Sequence, residues 1–403
     1  MRRRTLITAS PMAALAARQA VAAGPMPWIS PDLPDGTRAE AHLARVPGKQ
    51  PMIELTSNPP NYETPIQAFT YPITPNDQFF VRYHLSSLPD AKSLERWSLE
   101  VGGDAAERSV SFTLQQLNDL PQAEVVAVCQ CAGNRRGLVQ PHVPGVQWAH
   151  GAMGCATWHG PRLKDLLARA GLKPDVAEIW FDGADGPLMP GTPDYLKSLP
   201  PGKALADDTI VATTMNGGPL PLWNGFPARL VVPGWTGTYW IKHLSRITAS
   251  TKALDGFWMR KAYRVPARLF PVTTAFATQE DSSTWPITEM VTNSLIASPL
   301  DGEEVERSGF PVRGIAWDKG NGIARVEVSV DGGKSWQSSL LDGEISRYSY
   351  RSFRFETGPV PRGTAELRVR AISNSKEGQP DVYRPNPSGY HNNVPQRLTV
   401  KVV

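Results

Sequence analysis

The chain has 403 residues, 41% hydrophobic and 20% charged, which fits two folded cores and excludes a disordered or membrane-embedded chain. Its formal net charge of +4 is dispersed, without the basic stripe that nucleic-acid binding requires. The 34 glycines and 38 prolines point to many strands and turns.

Residues 1–24 read MRRRTLITASPMAALAARQAVAAG, with Arg2 to Arg4 ahead of an alanine-rich run. Ala20-Val21-Ala22 puts small residues at the two positions a signal peptidase reads. Pro11 and Arg18 interrupt the run, so it is not a membrane span. Tandem arginines before a weakly apolar segment look like a twin-arginine export signal, which predicts a periplasmic protein exported already folded.

Residues 25–68 read as an extended, proline-studded lead-in. QFFVRYHL, around Arg82 and His84, has the composition of a strand, and ERWSLEVGG closes another on a Gly-Gly turn. SFTLQQLNDLPQ reads as a short capped helix, and EVVAVCQC as a β-branched strand. RLKDLLARAGL is an amphipathic helix stopped at Gly171. EIWFDGADG, TIVATTMNG and ARLVVPG are further strands, so residues 69–268 form a mixed unit, α+β or α/β. Residues 269–403 lose helical periodicity and show short alternating strands joined by Gly and Asp turns, the pattern of an immunoglobulin-like β-sandwich. Within them VEVSVDGG and KSWQ form a hairpin on Asp331-Gly332-Gly333. No linker separates the units, which predicts tight packing between them.

The chemistry concentrates in CQCAGNRRG, residues 129–137. Cys129 and Cys131 share one face of a strand, and a disulfide between them would be strained. Ala132 to Asn134 make a tight turn where backbone can approach a ligand, and Arg135 and Arg136 add positive charge that favours a thiolate. A thiolate here serves as a nucleophile or a soft metal ligand. The spacing of a zinc site and the CxxCH of a c-type haem are both missing. A buried structural cysteine is the plain alternative.

FVRYHL, CAGNRRG, MNGGPLPLWNGFPARLVVPG, IKHL and WMRKAY, in that order from about Asn61 onward, resemble the sulfite oxidase family of molybdenum enzymes. The resemblance implies a molybdopterin-binding α+β domain followed by an immunoglobulin-like dimerisation domain. It implies molybdenum held by molybdopterin and by Cys131, with Cys129 left as a packing residue. By the same resemblance Arg82 binds the anionic substrate beside the metal, Arg136 is a second anion-pocket arginine, and the Tyr263 hydroxyl faces the substrate. His84 is the pocket histidine; Arg229 and Lys242 contact the pterin phosphate, with His243 and Ser198 as further cofactor contacts. Asn224 departs from the histidine of the animal HGFP motif, and Ser388 stands where the animal pattern has an arginine, which Arg384 either replaces or does not.

The implied reaction is oxidation of sulfite to sulfate, with electrons leaving singly to a c-type cytochrome, as a subunit or a soluble acceptor. No haem is expected on this chain, and the C-terminal unit forms a homodimer or meets the cytochrome. Rival readings are a methionine-sulfoxide reductase type, a sulfane dehydrogenase type, a nitrate reductase and a non-catalytic β-sandwich binding protein.

Overall fold

In this computed structural model residues 29–30, 32–266, 275–280 and 283–403 are described. The expected signal segment 1–24 and the 268/269 boundary lie outside the described residues. The first unit is organised by two strands, Gln122–Gln130 and Met153–Pro161, paired antiparallel from Gln122↔Pro161 to Gln130↔Met153. Successive side chains of the first strand enter different cores. Ala123, Ala127 and Cys129 join the interior of the first unit, whereas Val128 joins a cluster with Leu295, Ile315, Trp317 and Tyr350. A strand buried on both faces reads as one apolar run, as EVVAVCQC does.

A five-stranded sheet lies alongside, ordered Lys197–Leu199, Glu178–Gly183, Leu244–Ser250, Ser98–Gly102, Val110–Thr113. The pair Leu244–Ser250 and Ser98–Gly102 is parallel; the other pairs are antiparallel. Helix Leu163–Ala170 buries Leu163, Leu166, Leu167 and Ala170, the i, i+3, i+4, i+7 stripe expected of it. Helix Leu114–Asn118 starts on a capping box between Thr113 and Gln116.

Two expectations change. Within the lead-in, His42–Ala44, Met52–Ser57 and Pro60–Glu63 are strands of a four-stranded sheet completed by Val81–Arg82. The buried Glu63 carboxylate then accepts from the amides of Ala149, His150 and Gly151 at 2.7–3.0 Å, tying this sheet to the loop before Met153. QFFVRYHL is a strand only over Val81–Arg82, because Lys242 Nζ takes the Arg82 carbonyl and the ladder goes no further.

The C-terminal residues form two sheets. One is ordered Asn293–Ser298, Pro311–Trp317, Arg351–Glu356, Leu340–Leu341; the other Glu304–Val305, Gln396–Val402, Gly363–Ser373, Ile323–Ser329, Gln337–Ser338. Burial alternates strictly along Gln396–Val402, and the core between the sheets contains Val326, Phe353, Leu367 and Leu398. The expected hairpin is present, with Gly332 and Gly333 at positive φ. The two units pack directly: Trp317 Nε1 donates to Gln130 Oε1, and Val128 N to Tyr348 O at 2.9 Å. Among the described residues no helix is long and apolar enough to cross a membrane.

Candidate active site

Where the strand Gln122–Gln130 ends, the chain turns sharply, with Asn134 N on Cys131 O and Arg136 N on Gly133 O, each at 3.0 Å. A Cβ at Gly133 would lie 2.4 Å from the Arg136 guanidinium, so glycine is required there for space. The turn closes one end of a cavity that encloses about 620 Å³ with its open mouth included, of which about 40 Å³ is free for the centre of a water-sized sphere. Cys129 and Cys131 both line it, as their shared strand face predicts, and all three cysteines of the chain are free and buried.

Cations dominate the polar wall: among the described residues Arg82, Arg229 and Lys242 line the cavity, against the one carboxylate of Asp185. Arg229 is held between the rings of Trp158 and Trp240 and donates to the carbonyls of Asn224 (2.9 Å) and Trp240 (3.1 Å). Its Nη2 also lies 3.8 Å from Cys129 Sγ, so Cys129 is more than the packing residue expected. Burial still pushes the Cys129 thiol up to about 11, with Arg229 opposing. Lys242 donates to Arg82 O (2.6 Å) and sits 3.8 Å from the Tyr83 ring centroid. Burial lowers its pKa to about 7.

Arg82 and His84 line one end of this wall, and Tyr263 lies behind it, outside the lining, in contact with His84. Arg82 is fixed by Asn61 Oδ1 and the Tyr83 carbonyl. The Tyr263 hydroxyl meets His84 Nε2, while the imidazole stacks on Tyr195 at 3.7 Å between centroids. Burial, then Arg82, holds the His84 pKa well below its ordinary value, and burial raises that of Tyr263, so both are neutral near pH 7. The hydrogen bond therefore joins two neutral groups, and the His84 tautomer sets which of them donates. Tyr263 has φ 56 and its amide donates to the Tyr390 hydroxyl, which helps hold this unusual backbone.

Other residues expected at the site also lie outside the lining. The Arg136 guanidinium donates to the carbonyls of Ser388 and Val146 and lies over the Tyr390 ring, one layer behind Tyr263 rather than in the cavity wall. Arg135 turns toward the other unit, donating to Asn293 Oδ1 at 2.9 Å. His243 has both ring nitrogens engaged, Nδ1 by Phe226 O and Nε2 by the Tyr83 hydroxyl. Ser198 is buried outside the lining, with its hydroxyl unpartnered. Arg384 is exposed, and Ser388 Oγ accepts from Gln279.

Other residues of the site carry little mark in the sequence. Asn224 does line the cavity, but its Oδ1 accepts from Lys49 Nζ (2.6 Å) and its Nδ2 donates to Phe80 O (3.1 Å). Lys197 is 0% exposed, donates to Trp258 O at 2.7 Å and lies 5.4 Å from the Tyr263 ring centroid. Burial lowers its pKa to about 7. Its place in the sequence beside Ser198, an expected cofactor contact, is the signal that points to it.

The donor set fits the expected molybdopterin group. Arg82 Nε and Arg229 Nε are buried without partners, so donors remain for a phosphate-bearing anion. A Cβ at Gly237 would come within 3.1 Å of Cys129 Sγ, so a glycine keeps the wall thin there. Among the described residues no group of three or more His, Cys, Asp or Glu side chains is placed to hold a metal, so a metal at Cys131 must arrive with its other ligands.

Residues 85–258 match the family described as the oxidoreductase molybdopterin binding domain, and residues 284–403 the Mo-co oxidoreductase dimerisation domain. Mitochondrial sulfite oxidase of Homo sapiens is 35% identical over 373 residues, 88% of this chain and 67% of that protein. Sulfite oxidase of Gallus gallus is 33% identical, covering 89% of this chain and 79% of its own length. The crystal structure of the sulfane dehydrogenase SoxCD from Paracoccus pantotrophus superposes with a TM-score of 0.74 at 28% identity, over 96% of this chain and 94% of that one.

Proposed function

The chain belongs to the sulfite oxidase family of molybdopterin enzymes, and from that premise we propose that it oxidises sulfite to sulfate in the periplasm and passes the electrons to a c-type cytochrome. The observation that carries the reading is one cavity lined by a free thiol, Cys131, and by arginines with unused buried donors.

Cys131 would supply the protein ligand to molybdenum, and Arg229 and Lys242 would hold the anionic pterin phosphate. When bound, the group supplies the two-electron oxidation and the oxygen-atom transfer. The remaining work belongs to the chain. Arg82 presents a fork of N–H donors that attracts and orients the sulfite dianion, and its backing by Asn61 fixes that fork before substrate arrives. With Nε2–H of His84 donating to it, the Tyr263 hydroxyl keeps its own proton for an oxygen of the substrate or product. Phe79, Phe80 and Trp240 line the same cavity and limit water, which strengthens each of these interactions. Arg136 acts from behind, fixing the loop of Ser388 and Tyr390 against Tyr263.

The arginines at residues 2–4 support export, and the dimerisation-domain match over residues 284–403 supports a homodimer, with a cytochrome subunit on that unit as the alternative. The likeness to the sulfane dehydrogenase keeps a sulfane substrate as the second reading. The test is reduction of cytochrome c by the holoprotein with sulfite as electron donor. Sulfite-dependent reduction is expected. Reduction only with a thiol-bound sulfane donor would transfer the proposal to the second reading, and no reduction with either would overturn it.

A further inference from the structure

Behind the Cys131 turn lies a second, polar cavity of about 690 Å³, open to solvent, which among the described residues shares no lining residue with the first. Arg135 lines it while only 3% exposed. Its hydrogen bond to Asn293 Oδ1 occupies Nη1, and Nε is buried without a partner. Among the described residues no carboxylate lies within ion-pair distance of it, and burial alone lowers its pKa to about 10. The other arginines of this wall differ: Arg38 is paired with Asp35, and Arg397 with Glu366 at 3.0 Å. Asp32 and Asp35 also line the cavity, but both are exposed. His150 faces the same space with Nδ1 buried and unpartnered, and burial and Arg135 together keep its ring neutral.

We propose that this cavity is a second anion site, in which Arg135 takes a hydrated inorganic oxyanion of the sulfate or phosphate class. An unpaired buried guanidinium is costly, and an oxyanion offsets that cost through the donors that the protein leaves unused. Asn392, whose Nδ2 holds the Arg135 carbonyl at 2.9 Å, fixes the backbone of the seat. The space exceeds one tetrahedral anion, so bridging water completes the contacts. The site stands whether or not sulfite is the substrate.

The test is calorimetric titration of the holoprotein with sodium sulfate and, separately, sodium phosphate at constant ionic strength set by chloride. It is done in an Arg82→Met background, so that the first cavity contributes little. One saturable event is expected, weakened about tenfold or more by Arg135→Gln. His150→Asp supplies a carboxylate beside Arg135 and is expected to abolish the event with the fold intact, which covers a failure of Arg135→Gln to fold. Crystals soaked in selenate are expected to show anomalous density at Arg135. Heat without saturation would mean an adventitious ion only. That outcome, or binding untouched by both Arg135→Gln and His150→Asp, overturns the proposal.

Discussion

Around the first cavity, cations are buried and their partners are carbonyls and aromatic rings; in the sandwich, cations stand at the surface opposite carboxylates. Lys197 donates to Trp258 O, Lys242 to Arg82 O and Arg229 to Asn224 O, and among the described residues none of these cations forms an ion pair. In the sandwich, Glu327 meets Arg325 and Arg370 at 2.9 and 2.7 Å, and Glu366 meets Arg368 and Arg397 at 2.7 and 3.0 Å. Partly exposed, solvent-screened pairs of that kind contribute little, about 0–1 kcal/mol each. Buried cations without counter-charges cost several kcal/mol each, on the order of the whole stability margin of a domain. The first unit therefore carries a charge deficit that an anionic cofactor and an anionic substrate relieve, whereas the sandwich is complete in itself.

The largest expected effect tests that deficit at the substrate end. Arg82→Met is expected to lower kcat/KM about 100- to 1,000-fold, mainly through KM, as steady-state kinetics with sulfite would show. An unchanged KM would remove Arg82 from substrate binding. On the other side of the comparison, Leu367→Ala opens the fully buried sandwich core and is expected to cost about 2–5 kcal/mol in denaturant unfolding. The molybdenum content of its folded fraction should be unchanged; a parallel loss of metal would show that the regions are not separable in this way.

Lys197 sharpens the contrast through pH. Its pKa in the folded protein is about 7, below its ordinary 10.5, so between those values the unfolded chain binds more protons. Its contribution is therefore fully present above 10.5 and is lost as pH falls toward 7. Lys197→Met is expected to reduce the rise of stability with pH in that window, by at most about 1.4 kcal/mol per pH unit. An identical pH slope in the variant would mean that Lys197 is charged throughout. The smallest effect is Glu366→Gln, expected to change unfolding free energy by less than about 1 kcal/mol because its pairs are solvent-screened. A larger loss would place an energetically important network in the sandwich after all.

Residues whose role is set by near neighbours were legible in the sequence. The strand containing Val128 and Cys129, the helix from Leu163, the hairpin at Asp331 and the strands of the sandwich follow from periodicity and turn chemistry. The site was legible where one side chain defines a role, as at Cys131, Arg82 and His84, which line one cavity, with Tyr263 in contact with His84. Contacts made across long stretches of chain were not. Arg136 is claimed by Ser388 O, 252 residues away, and Asn224 by Lys49, 175 residues away. Nothing local in RRG or WNG records those partners. Lys197 is not legible, because a lysine in a short strand reads as surface, and the packing of Tyr239, Tyr263 and Trp258 around it removes it from water.

The most direct test of the account is the molybdenum and pterin content of the purified wild type beside Cys131→Ser, measured with sulfite-dependent electron transfer on the same samples. The account predicts about one molybdenum per chain and turnover in the wild type, and loss of turnover in Cys131→Ser. Wild-type turnover in the serine variant, or wild-type protein free of molybdenum from a host that makes the cofactor, would contradict it.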